Sequence, residues 1–336
     1  MAIVGVGLES RPVAGSSHTV AIVIPAYNEE RFIAKCVAAS IRQTSPPDEI
    51  IVVDNRSTDG TASIVRRYQE ENPHIDIRLL HQTEHQGVIP TRNYGFDNAR
   101  SDVIARIDAD AIPPHDWVET VRSRFQDPGL DAVSGPVFYY DMPFPALGLV
   151  FERMVRRTLH RSGKDQRFLY GANMAIRASA WRAIRHLTQL DPEDRLHEDI
   201  DLAITLFKNG FEVGYDPGLV GGLSCRRAEC TVRDAYWYIT RYIRTTKLHG
   251  VKSNVALMVM SVLALVYFPL RIMRFFFDGE NHQLTLSKLR AELRGKRNGV
   301  LRRRARALPS GERLPAVAGG VPARRPAAAA GHRLVA

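Results

Sequence analysis

From His18 onward, short unbroken apolar runs alternate with stretches whose apolar residues return at helical spacing. Residues 20–24 form one such run, halted by Pro25, and residues 50–53 form a second, closed by Asp54. Between them, 30–43 carries Phe32, Ile33, Val37 and Ile41 on a helical period. Residues 61–71 read as a helix, 77–80 as a third strand, 91–99 as a helix and 103–107 as a fourth strand. Strands that alternate with helices predict a parallel sheet covered on both faces. Right-handed crossovers then bring every strand C-terminus to one edge, where ligands of such sheets bind. The polar residues that stand out lie just past those C-termini: Pro25-Ala26-Tyr27-Asn28-Glu29, Asp54 and Asp108-Ala109-Asp110.

Later in the chain the pattern changes. Residues 131–217 are α/β but less regular. A helix is predicted within 194–210, where Ile200, Ala203 and Phe207 share one face and Asn209-Gly210 is a stop signal. An amphipathic, aromatic-rich stretch follows at 231–247, and 255–270 contains no charged residue. The chain then turns basic and finally rich in Ala, Pro and Gly, as expected of a disordered tail. This divides the sequence into a flexible leader (1–17), an α/β domain (18–230), a helical membrane-associated region (231–285) and a basic tail (286–336).

Charge sharpens that division. The net charge is +10, yet from Leu286 onward thirteen Lys/Arg face two Asp/Glu, a balance of +11. The rest therefore sums to −1, and the basic character belongs to the tail. Such a tail meets anionic lipid by Coulomb attraction. It lacks the interleaved aromatics and motif of a nucleic-acid binder, so no nucleic-acid partner is expected. Cys36, Cys225 and Cys230 are odd in number and lack CxxC spacing, which argues against a disulfide framework or a cysteine zinc site and for a reducing compartment. The leader has no long apolar core of the secretory kind.

The candidate chemistry is acidic. Asp108-Ala109-Asp110 leaves the end of a buried strand, where carboxylates are rare unless something satisfies them. Two carboxylates there can present oxygens to Mg²⁺ or Mn²⁺, with a substrate diphosphate completing the shell. Asp54 can accept from a base N–H or a ribose hydroxyl, whereas Ser57, Thr58 and Asp59 suit a turn ahead of a helix. In the segment from Gly87 to Gly95, helix N-terminal amides attract phosphate and Arg92 can add a bidentate contact. His197-Glu198-Asp199 opens the predicted 194–210 helix, and either Asp199 or Glu198 could act as a general base toward an acceptor hydroxyl. Trp117, Trp181 and Trp237 are expected in the core or at an interface.

As an ordered set, these segments resemble the family 2 glycosyltransferases. The resemblance rests on Ile24-Pro25-Ala26-Tyr27-Asn28-Glu29-Glu30, on Val53-Asp54-Asn55-Arg56-Ser57-Thr58-Asp59-Gly60-Thr61, and on Thr91-Arg92-Asn93-Tyr94-Gly95 ahead of Asp108-Ala109-Asp110. Gly171-Ala172-Asn173 followed by Glu198-Asp199 completes it, and the span is about 18–215. It implies a GT-A fold, Rossmann-like with a mostly parallel sheet and flanking helices, and transfer from a nucleotide-diphospho-sugar donor to a glycan or lipid-linked acceptor. It further implies that Pro25, Tyr27, Glu29 and Asp54 line a nucleotide pocket and that Arg92 lies near the diphosphate. Asp108 would contact the ribose, Asp110 would hold a divalent cation (Mn²⁺ or Mg²⁺), and Asp199 would be the base of an inverting reaction. Asn55-Arg56 departs from the Asp-Gly of many relatives. Arg241-Tyr242-Ile243-Arg244-Thr245 is faintly similar to the Q/RxxRW motif of processive members but lacks its tryptophan. Two other classes fit parts of the pattern. Nucleotidyl transfer lacks its Gly-rich basic loop here, and a non-catalytic scaffold of the same fold is opposed by intact Asp108, Asp110 and Asp199.

Residues 255–270 would make a helix of about 24 Å, short of a hydrocarbon core of about 30 Å. Nucleotide sugars are cytoplasmic, and a single span would export the basic tail against the positive-inside tendency. The expectation is therefore an interfacial or re-entrant helix on the cytoplasmic face of the membrane.

Overall fold

The computed structural model describes residues 18–162, 168–191, 193, 195–251, 254–279, 283–286 and 290. The leader and nearly all of the tail lie outside these. The described residues up to Leu286 fall within one compact unit.

The four predicted strands are β1 (Val20–Ala26), β2 (Glu49–Asp54), β3 (Ile77–His81) and β4 (Val103–Ile107). The helices between them are α1 (Ile33–Ile41), α2 (Thr61–Glu71) and α3 (Val88–Asn98). Helix α3 begins three residues earlier than its pattern predicted. A two-residue strand β5 (Ala111–Ile112), helix α4 (Trp117–Arg124), strands β6 (Ala132–Ser134) and β7 (Val137–Tyr139) and helix α5 (Pro145–Ser162) come next. Strand β8 (Asn173–Arg177), helices α6 (Ala178–Ile184) and α7 (Glu198–Lys208), and strands β9 (Val213–Tyr215) and β10 (Gly221–Leu223) complete the α/β part. A short 3₁₀ helix at Cys225–Glu229 leads into α8 (Val232–Leu248) and α9 (Asn254–Phe275), followed by the small hairpin β11 (Phe277–Asp278) and β12 (Gln283–Leu284).

The main sheet runs β3-β2-β1-β4-β8-β6-β9. Its first four strands are parallel, and β8 lies antiparallel between β4 and β6. Both faces are buried, which is why these strands read as unbroken apolar runs. Val20, Ile22 and Ile24 join one core cluster with Ile50, Val52 and Trp117, while Val23, Ile51 and Val53 join another with Phe96 and Trp181. Successive side chains of a strand point to opposite faces, so one run feeds two cores. Trp117 and Trp181 are core residues as expected, whereas Trp237 is half-exposed on α8. A second sheet, β5-β10-β7, stands beside the point where β4 ends.

Helix α7 stops at Asn209-Gly210, with Gly210 at a φ of 81° that glycine tolerates best. Helix α8 starts with a capping box in which Thr231 and Asp234 exchange hydrogen bonds with each other's backbone. Helix α9 covers the uncharged stretch, continues through Pro269, and exposes Leu265, Phe268 and Ile272. Among the described residues, no helix is long and apolar enough to cross a membrane. Cys36 and Cys225 are buried, Cys230 is half-buried, and all three are free thiols.

Candidate active site

The C-terminal ends of β1, β2 and β4 open onto a cavity of about 600 Å³. The loop after β1 supplies Pro25, Tyr27 and Glu29 to its wall. That loop is pinned by the segment after β2. Ser57 Oγ accepts from the Asn28 N–H at 2.9 Å, Thr61 Oγ1 from the Glu29 N–H at 2.8 Å, and Asp59 from the Glu30 N–H at 3.1 Å. In return Asn28 Oδ1 accepts from the Thr58 N–H at 2.8 Å, and Glu30 accepts from the Gly60 N–H at 2.9 Å. Asn28 and Arg56 hold positive φ at the two bends. The second motif therefore serves chiefly to shape the first.

Asp54 does not line the cavity. It is buried at the end of β2, with its carboxylate 3.3 Å from the Ser57 N–H and 3.3 Å from His81 Nδ1. The next residue takes that wall. Asn55 donates to the carbonyls of Gln82 (2.8 Å) and His85 (2.9 Å) and accepts from the Gly87 N–H at 2.8 Å. This network places Gly87 and Val88, the N-terminus of α3, against the cavity.

Arg92 departs from its expected place near a diphosphate. Its side chain has no exposure; the guanidinium lies inside, donating to the Glu198 carboxylate (2.6 Å) and the Glu198 carbonyl (2.8 Å). The reason is topological. Arg106 sits on the face of β4 that meets α3 and α7, so Glu198 is clamped between Arg92 and Arg106. Burial alone would raise the Glu198 carboxyl, but Arg106 and Arg92 outweigh it and hold the group below its ordinary range. With both oxygens occupied by guanidinium groups, Glu198 is a structural anion and not an available base.

Its neighbour Asp199 behaves oppositely. The carboxylate lines the cavity, accepts from the Gly171 N–H at 3.0 Å and the Ile200 N–H at 2.9 Å, and is pushed up to about 6 by burial and by the Glu198 charge. A largely buried carboxyl titrating near neutrality suits proton abstraction. His197 is packed between Tyr238 and Tyr242 and held down to about 3 by burial and by Arg241 and Arg227, so it stays neutral.

Asp108 and Asp110 occupy a tight turn between β4 and β5, closed by the Ala111 N–H donating to the Asp108 carbonyl at 2.9 Å. Asp108 reaches the cavity and pairs with Arg106 at 2.7 Å. Asp110 is buried behind it and pairs with Arg226 at 2.5 Å. Burial first, and then Asp108, push Asp110 up to about 7 despite Arg226. Both groups are hard oxygen donors, and burial and the neighbouring Asp108 charge leave Asp110 short of positive charge even with Arg226 beside it, so the pair suits a divalent cation. Among the described residues, no group of three metal-ligating side chains forms, and oxygens from a ligand would have to complete the shell.

Several residues here escaped the sequence reading. Arg106 had a signal, a charge inside a buried apolar run. Arg226, Arg227, Tyr170 and Tyr238 had none, because they come from segments without a motif and are brought in by the 3₁₀ helix, α8 and the loop just before β8. Arg241 of the faint RYIRT motif does line the cavity, while Arg244 donates instead to the Arg195 and Trp237 carbonyls.

Residues 21–186 match the family model described as glycosyl transferase family 2. Through this region the chain belongs to that family. It is 35% identical over 136 residues to glycosyltransferase AglE of Haloferax volcanii, covering 40% of this chain and 43% of that protein. It is 29% identical over 218 residues to the pre-mycofactocin glycosyltransferase of Mycobacterium tuberculosis, covering 62% of this chain and 43% of that protein. The chain thus spans less than half the length of these curated relatives. Among solved structures, a mannosyltransferase from Pyrobaculum calidifontis in complex with GDP-Man and Mn²⁺ superposes with a TM-score of 0.57 at 22% identity, over 79% of this chain and 75% of that one. The glucosyl-3-phosphoglycerate synthase of Mycobacterium tuberculosis, in complex with Mn²⁺, UDP and phosphoglyceric acid, does so with a TM-score of 0.51 at 18% identity, over 73% of this chain and 86% of that one. The fold is GT-A, with a mostly parallel sheet and flanking helices.

Proposed function

We propose that this chain is an inverting glycosyltransferase that moves a sugar from a nucleotide-diphospho-sugar to a glycan or lipid-linked acceptor. The observation that carries the reading is the placement of Asp199, a largely buried carboxyl held near neutrality, on the same cavity as Asp108 and the β1 loop. The nucleotide would lie along Pro25, Tyr27, Glu29 and Asn55. The N-terminus of α3 would face its phosphates, and Arg227, exposed beside the cavity, offers them a further cation. Asp108 and Asp110 would hold Mn²⁺ or Mg²⁺, which neutralises a departing diphosphate when bound.

The acceptor hydroxyl would enter beside Asp199. As its oxygen attacks the anomeric carbon, the proton passes to the Asp199 carboxylate, while the bond to the nucleoside diphosphate breaks on the opposite face. Glu198 and its two arginines fix the start of α7, and Gly171 and Ile200 fix the carboxylate itself. We further propose that the protein works at the cytoplasmic face of the membrane, supported by the exposed apolar side chains of α9 and the +11 balance of the tail.

The test is a thermal-shift panel of UDP, GDP, dTDP and their sugars, with and without Mn²⁺, on the wild type and Asp110→Ala. A ligand at a hundred times its dissociation constant stabilises by about 2.7 kcal/mol. A metal-dependent shift with one nucleotide, lost in the variant, supports the donor site and names its base. No shift with any nucleotide in a folded protein overturns it.

A further inference from the structure

Glu29, Asp110 and Arg226 come from three distant parts of the chain and meet in one ion cluster. Arg226 places one terminal nitrogen on each oxygen of Glu29, both at 2.7 Å, and its Nε on Asp110 at 2.5 Å. The guanidinium also stacks 4.8 Å above the Phe32 ring. It thus stands where positive charge is most needed, between the acid of the β1 loop and the buried acid of the β4–β5 turn. Arg106, another nearby cation, is already shared between Asp108 and Glu198.

We propose that Arg226 is a built-in counter-cation that competes with the divalent metal for Asp110, so that the free protein binds metal weakly and the donor diphosphate is needed to displace the guanidinium. This rests on the metal-assisted donor site proposed above. The layering of the cluster supports it. The Arg226 side chain is 37% exposed, against 12% for Glu29 and 6% for Asp110, so the cation lies on the solvent side of the two carboxylates. The backbone beneath it is fixed. Ser224 Oγ accepts from the Arg226 N–H at 3.3 Å, and Asp141 holds both Ser224 Oγ (2.7 Å) and the Cys225 N–H (2.8 Å). Only the side chain has to swing. A guanidinium and a hard divalent cation want the same carboxylate oxygens, so each weakens the other's hold. A diphosphate supplies oxygens to the metal and an anion to the displaced Arg226, which makes donor and metal binding mutually favourable.

The experiment is a calorimetric titration of the full chain with MnCl₂ alone, and then with the nucleoside diphosphate that stabilises the wild type. Arg226→Gln is expected to bind Mn²⁺ alone at least about tenfold more tightly than wild type, with Arg226→Lys between them because an ammonium cannot pair bidentately. The double variant Arg226→Gln/Asp110→Asn should lose the gain. Nucleotide should raise the wild-type affinity more than that of Arg226→Gln. Mn²⁺ should also restore a lowered melting temperature in Arg226→Gln, which a purely structural role for Arg226 would not produce. Equal or weaker Mn²⁺ binding by folded Arg226→Gln, or by Arg226→Lys if the first variant does not fold, overturns the inference while nucleotide-dependent metal binding by wild type stands. Failure of every form to bind Mn²⁺ even with nucleotide removes the metal reading as well.

Discussion

Asp199 and Glu198 are neighbours in the chain, yet their surroundings drive their carboxyls in opposite directions. Two arginines hold Glu198 ionised, whereas at Asp199 burial and the Glu198 charge outweigh two backbone N–H groups and the pull of Arg106. Because folding raises the Asp199 pKa from 3.8 to about 6, the native state binds the extra proton, and stability contributed at low pH is lost as pH rises through that window. The charge at Asp199 therefore destabilises the fold at neutral pH by something on the order of 2–3 kcal/mol. Asp199→Asn should retain nucleotide binding, melt no lower than wild type at pH 7.5, and lose about 10²- to 10⁴-fold in kcat. In the wild type, transfer should decline as pH falls through about 6, since only the ionised base accepts a proton. Glu198→Gln should act through stability instead. It takes the carboxylate from the buried Arg92 and leaves Arg106 with Asp108 alone, and a loss of about 3–5 kcal/mol is expected in denaturant unfolding.

At the scale of elements, the motifs work in pairs. The segment after β2 folds onto the loop after β1 through reciprocal side-chain-to-backbone bonds, so the residues most recognisable in sequence partly hold one another and partly face the cavity. The turn before β8 is tied to the start of α7 in the same manner, because the Gly171 N–H donates to Asp199. A Cβ at Gly171 would collide with Arg106 Nη1 and Glu198 Oε1, two groups already in contact with each other. Gly171→Ala should therefore open that ion pair and displace the base together. The expected outcome is a drop in melting temperature accompanied by a fall in kcat larger than the change in donor affinity, measured by unfolding and steady-state kinetics on one preparation.

At the scale of the whole molecule, α9 both braces the site and presents an apolar face. Helix α9 grips the segment that carries Arg226: Tyr267 and Arg271 donate to the Cys230 carbonyl, and Arg274 pairs with Glu229 at 2.9 Å and with Asp141 at 3.1 Å. The same helix exposes Leu265, Phe268 and Ile272. If the protein sits on anionic lipid, the full chain should co-sediment with phosphatidylglycerol vesicles and less with neutral ones. Raised salt should weaken the association, since each tail cation contributes about 1 kcal/mol near such a surface. Leu265→Ser with Phe268→Ser should weaken it at any salt. Equal binding to neutral and anionic vesicles would remove the electrostatic part of the proposal.

Local pattern along the chain was enough for the parallel half of the sheet, the order β1 to β4 with its helices, the stop after α7 and the carboxylates at strand ends. These depend on periodicity, turn chemistry and short motifs, all of which act between residues near in the chain. The sorting of charges came only with the folded chain. Arg92 read as a phosphate ligand because its position early in a helix suggested one, and packing turned it inward to Glu198, 106 residues away. Asp54 and Asn55 exchanged places for a comparable reason, since the pinned loop leaves Asn55 facing the cavity. Arg226 reaches Glu29 across 197 residues with no motif to mark it. Ion pairs in a low-dielectric site are set by which side chains the fold brings within about 3–4 Å, and that distance has no counterpart in spacing along the chain.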